Sequence, residues 1–173
     1  MPIRFSLAKR KAQELLQEVG IRVPPVPVER LAQHLKARVR YEPFEGEMSG
    51  MRLMRGRRNI IGVNSSHSHV RQRFTIAHEI GHLILHPTDE LHIDKAFPIR
   101  FRNAKSSTGE DPVEVEANQF AAELLMPEQM LMRDVRPHMK SQVEEAIQEL
   151  AALYDVSTHA MTIRLSALGL IRI

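Results

Sequence analysis

Residues 73–86 read RFTIAHEIGHLILH, and the fold turns on how this stretch is read. At roughly 100° per residue, Phe74, Ala77, Ile80, Gly81, Ile84 and Leu85 crowd one side of a helix, while Thr75, His78, Glu79, His82 and His86 share the opposite arc with Arg71. The helix therefore buries its back and carries a polar stripe. Within that stripe His78-Glu79-x-x-His82 sets two imidazoles one turn apart, so both rings can grip one cation and Glu79 lies close enough to act on a bound water. Two histidines on a helix with a buried back need polar partners, and a metal ion supplies one to both.

The stretch does not complete its own site. His86 lies two turns, about 12 Å along the axis, from His78, whereas two nitrogens on one zinc are at most about 4.2 Å apart; His86 is therefore not a ligand. Leu85 and Thr88 stand where the metzincin pattern needs Gly and His. The chain has no cysteine, which excludes a disulfide framework, a thiolate nucleophile and a cysteine-based zinc finger. A metal here is held by imidazole and carboxylate, and the cysteine usage fits a reducing compartment.

Carboxylates at helical spacing occur in DPVEVEANQFAAELLMP, residues 111–127. Angular placement puts Glu114 on a stripe with Asn118, Ala121 and Leu125, and groups Glu116 with Gln119 and Glu123 on a wet face. Glu114 faces inward as a third ligand, although Asp111-x-x-Glu114 around Pro112 also fits an N-terminal cap. Asn118, one turn later, reads either as a hydrogen-bonding partner of a ligand or as an ordinary buried Asn.

Around these two helices the sequence reads as one domain with a small appendage, since 173 residues can bury a core without staples. Leu7 to Val19 is an amphipathic helix stopped at Gly20, IRVPPVP is a stiff connector, and Pro27 to Leu35 is a second helix. Short strands are expected at Val39–Phe44 and Met51–Met54, broken by a GEMSG turn, and at Asn59–Asn64, which leads into the histidine helix as a supporting sheet should. After Pro87 a connection of about two dozen residues, with an alternating Phe97, Ile99, Phe101 edge strand and an AKSSTGED loop, is expected to border a substrate groove. The tail from Ser141 to Ile173 reads as helix, turn, helix, with a Ser141/Glu144 capping box, a turn at Asp155 to Ser157 and a stop at Gly169.

The net charge of +3 hides an asymmetry: residues 1–105 carry 19 Lys/Arg against 10 Asp/Glu, and residues 106–173 carry 5 against 11. The basic residues are scattered, with few aromatics between them, which favours a solvated face over a nucleic-acid site. No apolar run approaches the roughly 18 residues of a membrane span, and the first twenty residues lack the features of a secretory signal. The expected location is cytoplasmic, with no membrane partner.

RFTIAHEIGHLILH followed by EVEANQFAAELLMP resembles the ImmA/IrrE family of zinc metallopeptidases, whose pattern is HExxH and then ExxAN-x-FA ending in LLMP. PVPVERLAQHL, MSGM, IIGVNSSH and VSTHAMTIRLSALGLI extend the similarity over nearly the whole chain. The resemblance implies one Zn2+ held by His78, His82 and Glu114, with Glu79 as the catalytic glutamate and Asn118 at the motif Asn. It implies an α+β fold: a mainly helical gluzincin-like metallopeptidase domain over residues 1–140, with a small β-sheet, and a helix-turn-helix-like lobe over 141–173 packed on it. It further implies a cytoplasmic site-specific endopeptidase whose substrate is a helix-turn-helix transcriptional repressor, so that cleavage regulates transcription. Relative to longer members the sequence shows neither an N-terminal DNA-binding domain nor a C-terminal sensor domain, and so names no activation signal.

Two other readings compete. A DNA-binding regulator would use the tail, where Leu150, Ala151, Tyr154, Val156, Met161 and Leu165 are suitably spaced, but the second helix offers only Arg164 and His159 as groove readers. A pseudoenzyme would sequester the repressor without cutting it. The donor that would steady an oxyanion is open among Tyr154, His138, His86 and Tyr41, as is the oligomeric state.

Overall fold

The computed structural model describes residues 2–45, 48–55, 58–87, 91–95, 111–138 and 142–171. Its first helix, α1 (Phe5–Val19), buries Ala8, Ala12, Leu15 and Leu16 and ends where Gly20 takes a left-handed φ of 73°. That turn lets the Ile21 amide donate back to the Leu16 carbonyl at 2.8 Å. The proline-rich brace follows, then α2 (Val28–His34). Lys36, at φ 58°, reverses the chain into the sheet.

The sheet contains β1 (Ala37–Glu42), β2 (Met48–Arg55), β3 (Arg58–Asn64) and β4 (Leu91–Lys95) in the order β1-β3-β2-β4. β1 runs parallel to β3, while β2 is antiparallel to both β3 and β4. On its inner face Ile61 and Val63 are fully buried and share one core with Ile76 and Ile80 of α3 (His69–Leu85), so the histidine helix lies across the sheet. α4 (Pro112–Leu125) packs against the other flank of α3, and α1 backs α4. The α3–α4 approach depends on Gly81: a Cβ there would stand 3.1 Å from Phe120 Cδ1 and 3.2 Å from the Ala117 carbonyl oxygen. α5 (Glu128–His138), α6 (Val143–Tyr154) and α7 (Thr158–Ala167) complete the fold, which is the α+β architecture expected.

Several expectations need correction. MSG belongs to β2 rather than to a turn, and both β1 and β2 start earlier than their apolar cores suggested. α5 was not anticipated, because Pro127 reads as a stop and here stands just before the first turn of a new helix. A strand lies at Leu91–Lys95, whereas the expected edge strand at 97–101 and the AKSSTGED loop, with the groove border assigned to them, lie outside the described residues. Ser141 lies outside them too, and the N-cap of α6 is Gln142, without a side-chain cap. Asp155 makes the predicted turn in a left-handed conformation, φ 53°, and Gly169 the predicted stop at φ 68°. Among the described residues no helix is long and apolar enough to cross a membrane.

Candidate metal centre

α3 and α4 bring His78, His82 and Glu114 together, with one donor atom from each inside a span of 4.8 Å. The two Nε2 atoms are 2.9 Å apart, and the Glu114 carboxylate places Oε2 3.2 Å from His78 Nε2 and Oε1 3.4 Å from His82 Nε2. Donors sharing one tetrahedral zinc stand about 3.4 Å apart, so the cluster has the size and the hard-and-borderline chemistry of a zinc set. All three side chains are buried. Burial alone would push the Glu114 pKa up, but hydrogen bonds to His78 and His82, together with their charge, outweigh it and hold the carboxyl well below its usual range.

The orientation of the rings is built from the backbone outward. His78 Nδ1 donates to Asn118 Oδ1 at 2.9 Å, one turn beyond Glu114 on α4, which leaves the Nε2 lone pair for the centre. Asp111 caps α4 by accepting from the Val113 amide at 3.0 Å. The cap therefore belongs to Asp111, while the Glu114 carboxylate turns inward to the histidines.

Glu79 is fully buried on the flank of α3 that meets β2. The strand comes this close because residue 50 is glycine: a Cβ there would lie 2.3 Å from Thr75 Cγ2 and 3.5 Å from Glu79 Oε1. Arg71 also donates to Ser49 Oγ at 2.9 Å, tying the irregular start of β2 to the same helix.

His86 stands outside the donor cluster. Its ring centroid is 5.8 Å from that of His82 and its Nε2 is 3.4 Å from Glu116 Oε2. Glu116 and Glu123 are not on a wet face, contrary to the angular argument: they are 3% and 0% exposed. Arg4 supplies its amide at 2.7 Å and its guanidinium to Glu116, and Arg164 and Gln13 take the two oxygens of Glu123. One-helix geometry could not reveal this, since the partners come from α7 and from in and beside α1. Arg164 is consequently buried and bound to Glu123 and to the Met126 carbonyl, so it is not the groove reader the tail suggested. Of the oxyanion candidates, the Tyr154 hydroxyl donates to Asp134 and the Tyr41 hydroxyl to Glu29, and the side chain of His138 lies outside the described residues.

The chain is similar to known proteins. Residues 32–166 match the family model described as the IrrE N-terminal-like domain, a peptidase family. An uncharacterized immunity region protein of Bacillus phage phi105 is 28% identical over 124 residues, 72% of this chain and 71% of that protein. The radiation response metalloprotease IrrE of Deinococcus radiodurans is 40% identical over 75 residues, 42% of this chain but only 21% of that longer protein. With the match covering most of its length, the chain belongs to the ImmA/IrrE family, in the IrrE N-terminal-like domain of metallopeptidases.

Proposed function

We propose that the chain is a zinc-dependent endopeptidase in which His78, His82 and Glu114 hold the ion, Asn118 orients His78 and Glu79 is the general base. The observation that carries this reading is the convergence of three buried donors from two helices beside a fourth buried side chain, Glu79. Bound zinc would supply a Lewis acid for the scissile carbonyl and lower the pKa of a coordinated water towards about 7. Glu79 would take the proton from the attacking water and return it to the leaving amine. Asn118 keeps the His78 proton on Nδ1, so the ring binds as the neutral tautomer.

The substrate in this reading is a helix-turn-helix transcriptional repressor, cut at one site in the cytoplasm to release the genes it silences, with residues 141–173 acting as a lobe packed on the domain of residues 1–140. The family membership and the metalloprotease name of the Deinococcus relative support a peptidase and a protein substrate. The test is incubation of the zinc-loaded protein with candidate helix-turn-helix repressors from the same genome. Glu79→Gln should keep stoichiometric zinc and lose cleavage by about 10²–10⁴-fold. Cleavage by this variant at the wild-type rate would remove Glu79 from the mechanism, and tight binding without cleavage by the wild type would make the chain a sequestering protein.

A further inference from the structure

Far from the metal centre in sheet order, β1 forms an open edge: among the described strands it pairs with β3 alone. Among the described residues no segment pairs with its outward N–H and C=O groups, which are the groups an added strand would use. Two hollows flank this edge. One, of about 490 Å³, lies between α2 and the strand and is lined by Glu29, Gln33, Ala37, Val39 and Tyr41 together with Lys36 and Arg38. The other, of about 340 Å³, opens on the opposite face of the sheet, where Lys36, Arg38 and Arg40 surround Asn59 and Ile60. Among the described residues the side chains of Lys36, Arg38 and Arg40 make no hydrogen bond or ion pair.

We propose that the β1 edge is a docking site for an extended acidic segment of a partner protein, which adds to the sheet as a strand. Side chains of an added strand alternate between the two faces. Those on the outer face enter the hollow ringed by three cations and are acidic; those on the α2 face meet Ala37, Val39 and Tyr41 and are small or apolar. The charge complementarity also selects among occupants. A second copy pairing through its own β1 would set Arg38 and Arg40 against the same arginines, and like charges across a ladder oppose pairing. Nucleic acid would gain three cations but meet Glu29 and the exposed Glu42 on the same edge, and among the residues lining the two hollows Tyr41 alone offers a ring for stacking. The site is independent of the metal centre and of the peptidase reading.

The probe is a labelled peptide of alternating glutamate and valine, about eight residues long to cover a strand of ordinary length. Amide resonances of the isotope-labelled protein and fluorescence anisotropy read its binding. The expected result is perturbation centred on Lys36 to Glu42, with affinity falling at least about tenfold, or about 1.4 kcal/mol, in the Arg38→Glu/Arg40→Glu variant. A peptide N-methylated along one edge should lose binding to a similar extent, because it keeps the charge and cannot pair. Undiminished binding of the N-methylated peptide, perturbation away from β1, no perturbation at millimolar peptide, or tighter binding of an oligonucleotide to the same amides would each overturn the proposal. The double variant's own dispersed amide spectrum checks that it is folded, as expected for substitutions at exposed positions.

Discussion

Glu114 and Glu116 are two residues apart on α4, both buried, and serve opposite purposes. Glu114 meets two imidazoles; Glu116 meets a guanidinium and an amide from Arg4. On the proposed reading Glu114→Gln removes one of three ligands, and zinc measured by mass spectrometry after dialysis should fall well below one per chain. Glu116→Gln should retain zinc but alter acid stability. Burial raises the Glu116 pKa, and the Arg4 hydrogen bonds and charge, with a smaller part from His86, bring it net below the ordinary 4.5. A carboxyl depressed in the folded state contributes stability that is present above its unfolded pKa and lost as pH falls through the folded value. The wild type should therefore lose urea resistance below about pH 4.5 more steeply than Glu116→Gln; parallel acid limbs would show that the Arg4 contact contributes nothing to folding.

At the scale of elements, the helix pair α3 and α4 is set by how near two backbones can come. Gly81 faces Ala117 and Phe120 so closely that even a Cβ there would stand 3.1–3.2 Å from them. Gly81→Val should push α4 outward, cost about 1–3 kcal/mol by overpacking, and lower zinc affinity at the same time, because Glu114 rides on the displaced helix. Stability loss with unchanged zinc affinity would separate the contact from the site. The two helices of the candidate site are legible in the sequence because each element carries its own signal: helical spacing and HExxH in α3, and Asp111-Pro112 opening a helix with an inward stripe in α4. Glu116 and Glu123 were misread because a periodicity wheel assigns charged residues to water, and only tertiary contacts with Arg4 and Arg164 show otherwise. Gly50 carried no local signal either, since its role is space for Thr75 and Glu79 on another element.

At the scale of the molecule, arginines tie distant parts of the chain to α3 and α4. Arg73 on α3 donates to the Val26 carbonyl and to the carbonyl of Asp155, joining the proline-rich brace and the α6–α7 turn to the histidine helix. Arg164 does the same for α4 through Glu123 and the Met126 carbonyl, with Gln13 of α1 on the other carboxylate oxygen. Glu123 is fully buried, and these partners supply its hydrogen bonds. A buried pair of this kind is a poor source of net stability, since removing both charges can cost little, but removing one strands the other. Arg164→Met should therefore destabilise the protein by about 3–5 kcal/mol, read as a lower urea midpoint. Arg164→Met combined with Glu123→Leu should recover most of that loss, because the apolar pair leaves no buried charge behind. If the double variant is no more stable than the single one, Arg164 acts mainly by holding the Met126 carbonyl at the α4–α5 junction, and Glu123→Leu alone should then be well tolerated.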